Sequence, residues 1–273
     1  MSRALRCALV GAVGVMGVPG VLAAQHGLAG SLSLVGDYRF RGLSQTYTQP
    51  AVQGGGEYTH ASGLYAGVWG SNVSGNQFLN GGSLELDLYG GYRARLGALT
   101  LDVGLLYYWY PGARYNLDPG DGYNTLEAYA GAAYGPVTAK VSYAMTDLFG
   151  MHTRTIGGSC GLDADGSPAT GPCLGGGSSE GSVYLDVGAA LILPAGLGLA
   201  LHAGRQEVRS YDALSYTDFK VGLTRAVASI TLGLALVGTD AERRFYRFTP
   251  TSGGGETEDV STTTVVASAS KSF

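Results

Sequence analysis

Residues 84–88 read Leu-Glu-Leu-Asp-Leu. In an extended chain successive side chains point to opposite sides, so Leu84, Leu86 and Leu88 make one face and Glu85 and Asp87 the other. The same division recurs. Leu101, Val103 and Leu105 oppose Asp102, the run Val183, Leu185, Val187, Ala189 and Leu191 opposes Tyr184 and Asp186, and Ile230, Leu232, Leu234 and Leu236 oppose Thr231 and Gly233. A soluble β-sandwich or lipocalin-like barrel also alternates, but its outer face is polar. Here the apolar set is too regular and too large to wrap a small soluble core, because the charges occupy the other face. Lipid outside and water inside resolves the conflict. In a bilayer such a sheet must close, so that every backbone N–H and C=O is paired.

Working outward, alternating segments of about ten residues, bounded by Gly, Pro, Asn or Asp, recur along the chain. They fall at 30–41, 49–59, 63–72, 83–95, 98–109, 124–135, 136–146, 181–193, 197–207, 215–226, 229–240 and 263–273. Tight connections (His60–Gly63, Leu96–Gly97, Gly135–Pro136, Pro194–Gly196, Val227–Ala228) alternate with long ones. The long ones are Gly42–Thr48, Val73–Gly82, Pro111–Tyr123, Asp147–Glu180, Val208–Leu214 and Ala241–Thr262. Outer-membrane barrels have short periplasmic turns and long extracellular loops. The expectation is an all-β, transmembrane antiparallel barrel of about 12 strands in the bacterial outer membrane, with both termini periplasmic. Aromatic residues gather at strand ends, as interfacial belts require: Tyr38, Phe40, Tyr107, Trp109 and Tyr143 outside, and Tyr58, Tyr92, Tyr134 and Phe273 on the periplasmic side. Trp69 fits either face of its strand.

Both ends agree with this reading. Arg3 and Arg6 precede an apolar stretch from Ala8 to Val18, then Pro19-Gly20 and the small run Val21–Ala24, which reads as a secretory signal peptide over residues 1–24 and leaves a barrel over 25–273. The stretch is shorter than the roughly 20 residues of a spanning helix, and Cys7 lies upstream of it, misplaced for lipid attachment. The last strand, VVASASKSF (Val265–Phe273), ends on the aromatic that outer-membrane barrels present to the barrel-insertion machinery, which makes that machinery an expected partner beside outer-membrane lipid. Loss of Arg3 and Arg6 takes the formal net charge from −4 to −6, which argues against nucleic acid. The 46 glycines, 18 tyrosines and 14% charged residues suit short packed strands.

Cys160 and Cys173 sit in a Gly/Ser/Pro/Asp-rich stretch and read as a disulfide tying down one long loop. A metal there would need more ligands than His152. Asp118 with Asp121, or Asp163 with Asp165, lack a complete calcium loop and read as solvated turn residues. Catalysis would need an activated nucleophile, and of His26, His60, His152 and His202 only His202 lies in a strand, with no nucleophile motif. No catalytic residue, metal or cofactor is expected.

Several strings are also familiar in combination. DYRFRGLSQT (37–46), HASGLYAGVWGSNV (60–73), SLELDLYGGYR (83–93), DVGLLYYWYPGA (102–113), LHAGRQ (201–206) and DFKVGLTR (218–225) resemble the TorF-type family of proposed porins, proteobacterial outer-membrane proteins formerly catalogued only as conserved. The resemblance spans nearly the whole chain after residue 24, except the Cys-containing stretch 150–181. It implies an outer-membrane barrel and a pore, and supplies no solute and no functional residues.

Eight strands fill a barrel with side chains and sixteen or more leave an open channel, so with twelve the inward residues decide. One register per strand brings the acidic Asp37, Glu57, Glu85, Asp87, Asp102, Glu127, Asp186 and Asp218 to the lumen. It also brings the basic Arg39, Arg41, Arg93, Arg95, Lys140 and Lys220, and His202. Arg39 and Arg41 on the first strand would oppose Glu85, Asp87 and Glu127 at similar height, a transverse field across a constriction that orients dipolar solutes. The alternative is that the charges pair across the lumen as structural ladders. The expected function is passive diffusion of small hydrophilic solutes through a charged lumen; a plugged barrel carrying surface loops as a structural protein, adhesin or receptor is the rival, and an outer-membrane enzyme a weaker one. Oligomeric state is not legible.

Overall fold

The computed structural model describes residues 26–116, 120–250 and 255–273. The expected signal peptide 1–24 with Cys7, Asp118 of one acidic pair, and residues 251–254 of the last long loop lie outside the described residues. Twelve antiparallel strands close into one barrel: β1 (Gly27–Val35), β2 (Ala51–Thr59), β3 (Leu64–Asn72), β4 (Leu84–Leu96), β5 (Leu99–Trp109), β6 (Thr125–Tyr134), β7 (Val137–Ala144), β8 (Val183–Ile192), β9 (Leu197–Glu207), β10 (Tyr216–Val227), β11 (Ile230–Thr239) and β12 (Thr264–Ser272). Each strand pairs with its chain neighbours, and β12 returns to β1, with Ser33 opposite Ser270. Tight turns and long loops alternate as the spacing predicts.

The apolar parity faces out on every wall. Leu32, Leu34, Val68, Leu88, Val103, Leu185, Leu223 and Leu234 are exposed, whereas Glu85, Asp87, Glu127 and Asp218 are buried inside. An exterior this apolar wrapped around a charged interior is a transmembrane barrel. Tyr58, Tyr92, Tyr134 and Phe273 are exposed at the turn end, and Trp109 and Tyr143 at the loop end. Trp69 takes the inner face of β3, with Leu64 and Val68 on the lipid face.

The first strand differs from its expected span of 30–41. It leaves the wall after Val35, and a two-residue hairpin, Arg39–Phe40 against Leu43–Ser44, folds into the barrel. Tyr38 and Phe40 are therefore not belt residues: they are 3% and 8% exposed inside the lumen, and Tyr38 meets Trp69 edge-on at 5.4 Å. The reason is that both faces of this segment have somewhere to be buried, so its alternation does not require a strand.

The long loops pack on one another. Leu148, Leu174, Val208, Tyr211 and Leu214 form a second core above the loop end, with Phe245 and Tyr246 against it. Cys160 and Cys173 are disulfide-bonded, 13 residues apart, in a loop that also meets the β11–β12 connection through Leu162 N–H donating to the Arg244 carbonyl (2.6 Å). Closing about 15 residues is worth about 3 kcal/mol in the chain-entropy model. Cys160→Ser with Cys173→Ser should raise amide exchange across residues 157–175 and leave the barrel's melting temperature unchanged; a lowered barrel melt would show that the loop supports the wall.

Candidate functional site

The hairpin after β1 crosses the lumen and closes its loop half. Its tip needs glycine: Gly42 has φ +83°, and a Cβ there would sit 2.7 Å from the Asp218 Cβ of β10 and 3.2 Å from the Gly238 carbonyl of β11. Arg41 (φ 45°) then reaches β6. Its Nη2 lies 2.7 Å from Glu127 Oε2, its Nη1 donates to Gln206 Oε1 at 2.7 Å, and its guanidinium lies over the Tyr184 and Phe40 rings at 4.2 and 4.8 Å. Arg41 and Glu127 are 6% and 2% exposed, so each charge depends on the other for compensation.

Arg39 does not face the acidic wall. It pairs with Asp37 of its own segment at 2.6 Å and donates to the carbonyls of Gly42, Val260 and Thr262. Ser44 Oγ completes Asp37 at 2.6 Å. The segment's other bonds run to the loops: Ser44 N–H to the Val260 carbonyl, Ser74 N–H to the Gln45 carbonyl, and Gln77 Nε2 to the Ser44 carbonyl. Phe40, Tyr108, Tyr110, Phe78, Tyr123 and Phe149 fill the remaining space as an aromatic cluster.

Further toward the turn end the charges form two knots. Arg93 binds Glu57 (2.5 Å) and Asp102 (3.1 Å) and lies over the Tyr65 ring at 3.7 Å, while Tyr65 donates to Asp102 at 2.5 Å and shares a hydrogen bond with Tyr129. On the opposite wall His202 stands between Asp218 (2.7 Å) and Asp186 (3.5 Å), and the Tyr184 hydroxyl donates to Asp218 at 2.8 Å. Lys220 is register partner to His202, and Lys140 to Asp186 and below the Tyr129 ring at 5.7 Å. Tyrosines lie over glycines of adjacent strands: a methyl at Gly204 would collide with the Tyr184 hydroxyl and one at Gly104 with that of Tyr129. Much of the chain's Tyr and Gly is thus one inner surface.

The register therefore gathers the predicted residues inside the barrel but divides them. Arg41 and Glu127 meet, Arg93 joins Glu57 and Asp102, His202 joins Asp186 and Asp218, and among the described residues Glu85 and Asp87 have no basic partner within ion-pair distance. Gln53, Gln206, Tyr65, Tyr108 and Tyr129 were not singled out from sequence, and Tyr184 was read only as sharing the inner face with Asp186. Inward parity was their signal, but neutral polar groups are also ordinary strand residues.

Between the β5–β6 and β7–β8 connections a cavity of about 240 Å³ is lined by Asp121, Asn124, Asp147 and His152 among others. Asp121 accepts from His152 (2.7 Å) and Arg154 (3.3 Å), and the His152 hydrogen bond leads in holding its carboxyl below the usual carboxylate range. Asp165 caps Ser167. Neither acidic residue is arranged around a calcium loop.

The chain is similar to the NanC porin (10% identity, 90% of this chain and 99% of that one, TM-score 0.48) and to the KdgM porin (6%, 90% and 98%, 0.47). It is also similar to an outer-membrane channel from Pseudomonas putida F1 (13%, 93% and 99%, 0.44). Likeness this distant assigns neither solute nor mechanism. No curated protein matches. A family model described as "Bacterial protein of unknown function (Gcw_chp)" matches residues 22–273, and the chain belongs to that family.

Proposed function

We propose that the protein is a passive outer-membrane channel for small hydrophilic solutes, with the segment 36–50 as its constriction. The observation that carries this reading is a charged, tyrosine-lined wall inside a lipid-facing barrel, bridged at one level by a single hairpin held through Arg41. A barrel needing only mechanical stability has no use for so many buried charges, since apolar filling of the same volume is as stable or more so. The resemblance to TorF-type porins supports a pore. In this reading the signal peptide 1–24 directs export, Phe273 serves the insertion machinery, both termini are periplasmic and the packed loops face outward. Solute passes when the hairpin is displaced, entering from the loop end and leaving through the turn half, whose inner wall includes Gly, Ala, Ser and Thr. Arg41 with Glu127, and the two knots below, set the field it passes.

A second reading is favoured by one observation: Arg41 and the aromatic cluster close the loop half in this conformation, as a plugged barrel presenting surface loops requires. Single-channel recording of the refolded protein in a planar bilayer separates the two. A channel gives discrete steps, smaller than those of the wide 16–18-stranded barrels, with ion selectivity under a salt gradient. Silence from folded, inserted protein, persisting when the hairpin is destabilised, would leave the plugged barrel.

A further inference from the structure

Glu85 and Asp87 lie two residues apart on the inner face of β4, and both are completely buried. Among the described residues neither carboxylate has a partner within hydrogen-bond geometry; the Tyr38 and Tyr110 hydroxyls are turned toward Glu85 at longer range. The same inner row continues through Ser71 of β3 to Gln53 of β2, since Glu85 is register partner to Ser71 and Ser71 to Gln53. Gln53 is 2% exposed, and both ends of its amide are also without a partner. Of the seven such atoms among the described residues, six belong to these three side chains. Buried polar groups are ordinarily paired, and an unpaired buried charge is among the costliest features a fold can hold. A cluster of them in one place therefore points to a missing ligand.

We infer that Gln53, Glu85 and Asp87 form an internal binding site for a hard divalent cation of calcium's size. The donors are all oxygens on the metal-facing side: two carboxylates, the Gln53 amide oxygen, the Ser71 hydroxyl and the two tyrosine hydroxyls. Such a set suits calcium, which takes six to eight oxygens in flexible geometry, better than a transition metal, which prefers imidazole or thiolate. Two carboxylates balance a dication. Among the described residues no third carboxylate, histidine or cysteine joins them as a metal group, so neutral oxygens complete the shell. The site lies beside Tyr38 of the inward segment, so the cation would help seat the constriction from the side opposite Arg41.

The protein purified from membranes, stripped with a chelator in detergent, is titrated with terbium while tyrosine is excited. Tyr38 and Tyr110 are close enough to sensitise a bound ion. One saturable site per chain is expected, displaced by calcium, weakened at least tenfold in Glu85→Gln and in Asp87→Asn and unchanged in Glu180→Gln, an exposed control. Absence of a saturable site, or one that is equally strong in Glu85→Gln and Asp87→Asn, overturns the inference and leaves protons as the neutralising agent. If those variants do not fold, Gln53→Leu, which alters no charge, decides: weakened terbium binding supports the site, and unchanged binding overturns it.

Discussion

Arg41→Glu should convert small conductance steps into large ones. Among the described residues Arg41 is the one cation that joins the inward segment to the far wall, through Glu127, Gln206 and the Tyr184 ring. Removing one partner of a buried ion pair costs about 3–5 kcal/mol, because the other charge stays buried and uncompensated. At 1.4 kcal/mol per factor of ten, that shifts the seated and released populations of the segment by about two to three and a half orders of magnitude. The substitution also sets a carboxylate against Glu127, adding repulsion. The wall's own hydrogen bonds are untouched, so the barrel should remain folded while the hairpin leaves the lumen. Conductance should rise and selectivity move toward cations. The exchange Arg41→Glu with Glu127→Arg should restore the small steps. Equal conductance in the wild type and Arg41→Glu would show that ions do not pass this level, and silence in both would remove the channel reading.

The architecture was legible because a membrane barrel writes itself with period two. Lipid rejects charge on one face, so Leu84, Leu86 and Leu88 against Glu85 and Asp87 leave a single register, and the turn spacing gives the strand count. The segment 36–48 was not legible for the same reason. Asp37, Arg39 and Arg41 alternate with Tyr38 and Phe40 as a strand would, but inside a barrel both faces of a hairpin are enclosed, and period two no longer means wall. The residues that betray the departure are Gly36 before it and Gly42 at its tip, together with Tyr47 and Thr48, whose φ angles are 56° and 60°. They read equally well as the end of a strand and its loop. Parity could place Arg41 and Glu127 in the lumen, but not in contact, since they lie 86 residues apart and meet only because the hairpin crosses. Gln53 was missed because an uncharged amide on an inner face draws attention only when its neighbours lack partners.

Leu234→Arg should test the other half of the argument, that the apolar face meets lipid. Leu234 is 59% exposed on the outside of β11, midway along a ten-residue strand, beside Leu223 and Ala267. On a soluble protein's surface such a change falls within about 0.5 kcal/mol. At the bilayer midplane of a barrel, an arginine on the lipid face costs about 2–4 kcal/mol, because its charge must be drawn through hydrocarbon to an interface. Denaturant unfolding in lipid vesicles should therefore show a loss in that range for Leu234→Arg. Thr231→Lys is the matched control: it lies on the same strand with the opposite parity, near the turn end, where its amine reaches lumen water. Its effect should stay within about 0.5 kcal/mol. Equal losses from the two would mean that parity does not divide lipid from water, and the transmembrane assignment would fail with it. A large loss from Leu234→Arg alone locates the hydrocarbon band directly on the face that residues 84–88 define.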